Sequence, residues 1–264
     1  MSVNFETLPD RTRLAYLQDG PSGRTGRCGF LWLGGYKSNM TGTKAEAIAA
    51  LARETRRPSL RFDYSGHGQS SGMFVDGTIS QWLDQSIHMF AKHTHDKCVV
   101  IGSSMGGWLA MLLLARLQDI NFSIAKRITG LVLIAPAADM TTELMWKEMT
   151  PDQRRDIEER GVAYRPSQYG EPLPVTARFL EDGVNHLILK KGFDAICPVR
   201  ILQGDADAEV PPQHGWKVYE AIKSNDVTLT LIKGGDHRLS TPNDLALIRE
   251  TALRLAERAD GIAV

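Results

Sequence analysis

Short apolar segments with β-strand character alternate with helix-like segments along most of the chain. Most of the strand-like segments are nearly continuous apolar runs, as expected for strands that are buried on both faces of a sheet. In chain order, the strand-like segments are 14–18, 29–33, 59–62, 98–101, 130–134, 199–203 and 227–232. This alternation is typical of a mostly parallel sheet covered by helices on both faces, so we predict an α/β fold.

The interval 138–195 interrupts the alternation. It is more polar than its surroundings, contains several prolines and lacks an apolar β run. Capping signals and glycine stops predict helices over 151–160 and 174–182. We therefore predict that residues 1–137 and 196–264 form one core, and that the interval between them is a short helical lid over a ligand site.

Composition excludes several classes of protein. Of 264 residues, 42% are hydrophobic and 23% are charged, and 31 basic side chains balance 31 acidic ones. No apolar run approaches the roughly 20 residues of a membrane-spanning helix. A chain with zero net charge lacks the excess of basic residues that nucleic-acid binding normally requires. Small molecules or proteins are therefore the expected partners.

The three cysteines are Cys28, Cys98 and Cys197, each in or beside an apolar strand-like segment. They lack the spacing of metal ligands or of a redox pair, so we predict buried thiols in a reducing compartment. Residues 1–18 show neither a secretory apolar core nor an arginine-rich leader. The cytoplasm is the expected location.

A G-x-S-x-G motif stands between a buried strand and a helix that is apolar almost all round. The motif is Gly102-Ser103-Ser104-Met105-Gly106. A strand, a sharp turn and a helix form the context of a nucleophile elbow, which presents a serine hydroxyl at the carboxyl edge of the sheet. The turn is strained, so small residues are required at Gly102 and Gly106. Ser104 is therefore the candidate nucleophile.

A serine nucleophile needs a base, and the base needs an acid that fixes its tautomer. In folds with this elbow, the acid and then the histidine follow the serine, each on a loop after a late strand. Asp205, Asp207 and Glu209 follow one such strand. Asp207, the third residue after Gly204, is favoured because the intervening turn can return it over the strand end. Asp205 is its main rival.

His237 is the candidate base. It follows the last strand-like segment through the glycine-containing turn 233–236 and precedes the final helix, for which Thr241 is the predicted N-cap and Pro242 the first residue. The other six histidines precede Ser104, lie in the interval 138–195 or fall in the first turn of a helix. None of those positions lies on a loop that follows a late strand after Ser104.

An acyl-transfer site also needs donors for the oxyanion of the transition state. One donor is expected to be the backbone N–H of Met105, directly after the nucleophile, and the other the N–H of Tyr36, after Gly34-Gly35. Several large side chains have two interpretations: they line an apolar acyl pocket beneath the insertion, or they pack the insertion onto the core. They are Trp108, Met145, Trp146, Tyr164 and Phe179.

Several segments together resemble the α/β-hydrolase superfamily over essentially the whole chain, and within it the mycophenolic acid acyl-glucuronide esterase and palmitoyl-protein thioesterase group. They are Gly35-Tyr36, 42–45, 61–66, 102–109 and 236–238. The resemblance implies a Ser104, Asp207 and His237 triad that hydrolyses acyl esters or thioesters, including S-acylated cysteine and acyl glucuronides. It also favours Asp207 over Asp205, since the family's acid stands three residues after the glycine of G-x-x-D-x-x-V-P.

The predicted reaction needs no metal or organic cofactor. The expected partner is a small acyl ester or thioester, with an acylated protein as a further substrate class; the oligomeric state is not indicated. Two alternatives stay open: a non-catalytic α/β-hydrolase-fold protein that binds a ligand, and a peptidase or C–C bond hydrolase with the same triad. A dehalogenase is disfavoured because the elbow carries serine and not aspartate.

Overall fold

The structure, a computed structural model, describes residues 2–21, 23–94, 96–166 and 171–262. Its strands are β1 (Asn4–Thr7), β2 (Arg13–Asp19), β3 (Gly29–Leu33), β4 (Ser59–Phe62), β5 (Cys98–Ser103), β6 (Ile128–Ile134), β7 (Val162–Arg165), β8 (Leu173–Thr176), β9 (Phe193–Asp194), β10 (Val199–Gly204), β11 (Ile222–Lys223) and β12 (Val227–Ile232). Its α-helices are α1 (Thr43–Glu54), α2 (Ile79–His93), α3 (Met105–Ile120), α4 (Phe122–Ala125), α5 (Pro151–Arg160), α6 (Ala177–Gly183), α7 (Pro212–Ala221) and α8 (Pro242–Ala259). Short 3₁₀ or π-helical segments cover Phe74–Asp76, Thr141–Trp146 and Val184–His186.

The central sheet has the strand order β1-β2-β4-β3-β5-β6-β10-β12. The pairs β1/β2 and β2/β4 are antiparallel, and the remaining pairs are parallel. The predicted mostly parallel sheet is therefore confirmed. Parallel strands end at the same edge, so the loops after β3, β5, β10 and β12 all open at the carboxyl edge, where ligands bind in folds of this kind.

Alternate residues of the central strands enter two different apolar layers. Val100 of β5 packs in the layer that contains α2 and α3, whereas Val99 and Ile101 pack in the layer that contains α1 and α8. Because both faces are covered, these strands are apolar without interruption. Helix α3 is buried along most of its surface, as its apolar sequence predicted.

The interval 138–195 contains more β structure than the sequence indicated. Strands β7 and β8 form an antiparallel hairpin, with Tyr164 paired to Pro174. The predicted helix over 174–182 was wrong at its start, because 174–176 belong to β8 and α6 begins at Ala177 behind the N-cap Thr176. Proline is tolerated on an edge strand of this kind, since its missing N–H leaves no ladder bond unmade there.

One aspartate joins the two ends of this interval. The Asp139 carboxylate accepts hydrogen bonds from the backbone N–H groups of Ile188 and Leu189, at 2.8 and 3.0 Å. The side chain is buried, and this burial raises the pKa of Asp139, while the two amide donors act in the opposite direction. The contact fixes the end of the insertion to the segment that leaves β6.

Two further predictions are confirmed. Cys28, Cys98 and Cys197 are all buried free thiols. Thr241 caps α8, with Pro242 as the first helical residue and Asp244 completing a capping box at the third. In the described part of the chain, no helix has the length and apolar character needed to cross a bilayer.

Candidate active site

The nucleophile elbow lies between β5 and α3. Ser104 has φ 56° and ψ −120°, a strained left-handed conformation for a residue with a side chain. A Cβ atom on Gly102 would stand 2.2 Å from the Gly106 carbonyl oxygen, and one on Gly106 would stand 2.1 Å from that of Leu33. Only glycine fits at these two positions. Without side chains there, the backbone can make the close approach that brings the serine to the sheet edge.

Three side chains from separate loops meet at this edge. The His237 imidazole places Nε2 3.2 Å from Ser104 Oγ and Nδ1 2.9 Å from Asp207 Oδ2. Ser104 follows β5, Asp207 follows β10 and His237 follows β12. The Asp207 carboxylate is fully buried, whereas 14% of the His237 side chain is exposed. The arrangement has the hydrogen-bond sequence of an activated serine.

Four donors surround the Asp207 carboxylate. Oδ1 accepts from the backbone N–H groups of Glu209 and Val210, at 2.9 and 2.8 Å. Oδ2 accepts from Gln203 Nε2 at 3.2 Å in addition to the imidazole. Gln203 is fully buried at the end of β10, where the sequence showed only a strand residue. These donors fix the orientation of the acid before any substrate binds.

The rival acid points elsewhere. Asp205 accepts from Lys233 Nζ at 2.9 Å and from the Gly234 N–H at 2.6 Å, and its hydrogen bond from Lys233 lowers its pKa. The third candidate, Glu209, has Oε2 3.7 Å from His237 Nε2, on the serine side of the imidazole. Neither carboxylate occupies the position behind Nδ1.

The two predicted oxyanion donors come from the start of α3 and from the loop after β3. Met105 is the first residue of α3, and Tyr36 lies in the loop after β3. In the described part of the chain, neither backbone N–H donates to a protein acceptor. The Tyr36 hydroxyl donates to the Pro174 carbonyl oxygen of β8 at 2.6 Å, which ties this loop to the insertion.

A cavity of about 830 Å³ opens beside Ser104 and His237. This volume lies within the range of small-molecule sites. The apolar part of its wall consists of Trp32, Tyr36, Ala137, Met140, Leu144, Met145, Pro166, Leu173, Val175, Ala208 and Val210. The charged part consists of Lys37, Lys44, Arg165, Glu171, Glu209 and Arg238.

Trp108, Trp146 and Tyr164, three of the five large side chains considered for an acyl pocket, do not line this cavity. Trp108 is fully buried under the insertion, where its Nε1 donates to the His186 carbonyl oxygen. Trp146 is 37% exposed and Tyr164 is 59% exposed. Successive side chains of a strand point to opposite faces, and Ala163 of β7 is buried. Its neighbour Tyr164 therefore faces solvent. Trp108 therefore packs the insertion onto the core.

Of the two other large side chains considered, Met145 lines the cavity, whereas Phe179 packs against the rings of Tyr36 and Trp82. The lining residues Met140 and Leu144 were missed, and so was Val175 of the hairpin. Single methionines and leucines in a polar interval carry no periodic signal that would mark them as pocket residues.

Comparison with known proteins supplies the family. A model described as the alpha/beta hydrolase family matches residues 33–260. The chain belongs to the alpha/beta hydrolase family. Among the described residues of this hydrolase, no group of three or more histidine, cysteine or acidic side chains could hold a metal ion.

Its relatives include a human protein named palmitoyl-protein thioesterase ABHD10, mitochondrial. The two are 30% identical over 266 residues, which cover 99% of this chain and 82% of the relative. The structure of mouse alpha/beta hydrolase domain-containing protein 10 is 29% identical, with a TM-score of 0.85, covering 98% of this chain and 100% of that one. A crystal structure from Agrobacterium vitis S4 is 38% identical, with a TM-score of 0.92, covering 97% of this chain and 100% of that one. The resemblance inferred from the sequence is confirmed.

Proposed function

We propose that this alpha/beta hydrolase is a serine hydrolase that cleaves carboxylic esters or thioesters through an acyl-enzyme on Ser104. The observation that carries the proposal is the hydrogen-bonded series Ser104, His237 and Asp207, of which Ser104 and His237 line the cavity. The names of the relatives, which include a thioesterase, support the same reaction class.

In the first half of the reaction, the acyl carbonyl lies against Ser104 with its oxygen toward the N–H groups of Tyr36 and Met105. His237 Nε2 takes the serine proton as Oγ attacks the carbonyl carbon. Asp207 accepts the hydrogen bond from the Nδ1–H group and so stabilises the imidazolium. The two backbone donors stabilise the oxyanion more strongly than the neutral carbonyl, which lowers the barrier.

Collapse of the tetrahedral intermediate breaks the bond to the leaving alcohol or thiol, which receives its proton from His237 Nε2. Water then takes the place of the leaving group. The same imidazole removes a proton from this water as it attacks the acyl carbon, and returns it to Ser104 Oγ as the carboxylic acid leaves. Apart from the ester or thioester itself, the reaction consumes only water.

The insertion is the proposed lid. Residues 138–195 supply most of the apolar wall, including Met140, Leu144 and Val175, while the core 1–137 and 196–264 supplies the reacting groups. An apolar wall suits an acyl chain, and S-acylated cysteine and acyl glucuronides are the proposed substrate classes. The cytoplasm stays a prediction of the sequence, since the curated relatives are named as mitochondrial.

An activity-based probe tests the proposal. A fluorophosphonate should label Ser104 with a stoichiometry near one, because the activated hydroxyl attacks phosphorus as it attacks an acyl carbon. His237→Gln should abolish the labelling, whereas the control His88→Gln, far from the cavity, should label like the unchanged protein. Absent labelling of the folded protein would favour a ligand-binding protein, and faster cleavage of p-nitroanilides than of p-nitrophenyl esters would favour a peptidase.

Acyl-chain length tests the apolar wall. Catalytic efficiency on p-nitrophenyl esters should rise about fourfold for each added methylene until the cavity is filled, since each buried methylene contributes ~0.8 kcal/mol. Met145→Ala should lower the octanoate-to-acetate ratio of kcat/KM by about fivefold, because a lining side chain is removed.

Met149 is the matched control for this measurement. It is also buried and lies one helical turn further along, but it is not part of the cavity wall. Met149→Ala should leave the octanoate-to-acetate ratio unchanged. An equal fall in both variants would show that the ratio reports general loosening of the insertion and not contact with the acyl chain.

A further inference from the structure

The loop that carries the proposed oxyanion donor Tyr36 is held from one side by the loop after β4. The backbone N–H of Lys37 donates to His67 Nε2 at 3.2 Å, and the Tyr64 hydroxyl donates to the Gly34 carbonyl oxygen at 3.4 Å. Lys37 has φ 56°, in the left-handed region that residues with side chains disfavour. The hydrogen bond to His67 therefore holds a strained residue directly next to the donor.

His67 is built into the protein and has a defined tautomer. The residue is 3% exposed and packs edge-to-face against the rings of Phe74 and Trp82, each 5.0 Å away between ring centres. Nδ1 lies 3.2 Å from the Ser65 carbonyl oxygen, which can only accept a hydrogen bond. The proton is thus assigned to Nδ1, which leaves the Nε2 lone pair to accept from Lys37.

Electrostatics support this assignment. Burial lowers the pKa of His67 to about 4, while its hydrogen bond to the Ser65 carbonyl oxygen raises it. The imidazole is therefore neutral at physiological pH. A protonated ring would direct an N–H at the N–H of Lys37 and could not hold the loop in this position.

We propose that His67 is a positioning residue that fixes the Tyr36 N–H for the oxyanion by holding Lys37 in its left-handed conformation. Without this acceptor, Lys37 can relax toward a more favourable φ. The peptide units on either side of Tyr36 then rotate, and its N–H no longer points at the oxyanion. The inference rests on the proposed function, because it presupposes an oxyanion formed on Ser104.

Two substitutions of His67 distinguish the contribution of its hydrogen-bond acceptor from that of its aromatic ring. His67→Phe keeps a ring of similar shape against the neighbouring aromatic rings but removes the acceptor. His67→Gln loses the ring but can place an amide oxygen near the position of Nε2. Loss of an oxyanion donor typically lowers the rate about 10²- to 10³-fold, so a displaced donor should lower kcat of the phenylalanine variant about 10- to 100-fold.

The expected result is a fall in kcat on p-nitrophenyl butyrate in His67→Phe, with KM within about twofold, because the contact is made only in the transition state. Affinity for butylboronic acid, whose tetrahedral serine adduct carries an oxygen in the oxyanion position, should fall by the same factor. His67→Gln should recover most of both losses. If His67 had only a structural role, its substitution would lower the melting temperature, and kcat and the affinity for butylboronic acid would not fall by the same factor.

His214→Phe is the matched control, since His214 is also buried and burial also lowers its pKa to about 4. Its kcat should stay within about threefold of the unchanged protein. Unchanged kcat in folded His67→Phe, or an equal loss in His67→Gln, would overturn the inference. If His67→Phe does not fold, His67→Asn, which is too short to reach Lys37, decides by the same criteria.

These outcomes are distinct from failure of the proposed function. If the unchanged protein hydrolyses no ester, or if hydrolysis does not depend on Ser104, the proposed reaction is wrong. If hydrolysis depends on Ser104 and is indifferent to the acceptor at residue 67, only the inference about His67 is wrong.

Discussion

Ser104→Ala is expected to lower kcat on p-nitrophenyl butyrate by about 10⁴- to 10⁶-fold, the range seen when a serine nucleophile is removed from other hydrolases. The variant keeps the cavity and the backbone donors but has no hydroxyl to form the acyl-enzyme. His237 Nε2 would then face a methyl group in place of an oxygen 3.2 Å away. Residual hydrolysis should come from water bound beside the two backbone donors.

Ser103→Ala is the control for this measurement. Ser103 directly precedes the nucleophile in the same turn and also forms part of the cavity wall, but its hydroxyl does not contact His237. We expect its kcat to stay within about fivefold of the unchanged protein. Wild-type hydrolysis by folded Ser104→Ala would contradict the assignment of the nucleophile, and a large loss in the control would point to damage of the turn.

Asp207→Asn is expected to lower kcat by about 10⁴-fold, as loss of the charged acid does in other serine hydrolases. The structure fixes how the new amide must lie. The N–H groups of Glu209 and Val210 both donate to Oδ1, so the amide oxygen must take that position. The amide NH₂ then faces His237 Nδ1, where the carboxylate oxygen had been.

This orientation forces the wrong tautomer on the base. Nδ1 must accept from the new NH₂, so the proton moves to Nε2, which then cannot take the proton of Ser104. Part of the lost rate should return at alkaline pH, where hydroxide and the serine alkoxide reduce the need for a base. The measurement is the pH profile of kcat for the variant and the unchanged protein.

Asp205→Asn provides the matched comparison. Asp205 is two residues away on the same loop, but its carboxylate faces Lys233 and the Gly234 N–H and has no contact with His237. We expect this variant to keep kcat within about threefold, because only a partly exposed ion pair is lost. The opposite pattern, with a large loss in Asp205→Asn and little in Asp207→Asn, would reassign the acid.

Much of the fold could be predicted because its signals are local. An apolar run followed by a glycine-rich turn and an apolar helix defines the elbow wherever it occurs, and the same holds for the caps at Thr150 and Thr241. Strand β1 was not predicted, since in Asn4–Thr7 only Glu6 is buried and no apolar alternation exists. The strand forms because its backbone pairs with that of β2, and no local sequence pattern indicates this pairing.

The candidate site also has a part that local sequence signals predict and a part that they do not. Sequence order and spacing after glycine were sufficient to select Ser104, Asp207 and His237, because parallel strands bring their carboxyl ends to one edge whatever lies between them. The cavity wall was not predictable in this way. Trp146 and Tyr164 are apolar enough to line a pocket, yet both face solvent.

The sequence by itself determined the layered fold, the elbow and the chain order of the candidate residues Ser104, Asp207 and His237, since these depend on periodicity and on turns that only glycine can make. The tertiary structure alone decided which side chains surround them. Gln203 reaches Asp207 across the turn that follows β10, and His67 reaches Lys37, the neighbour of Tyr36, from a loop 30 residues further along the chain. Such contacts depend on how loops at one sheet edge pack together, and no local pattern of residues encodes that packing.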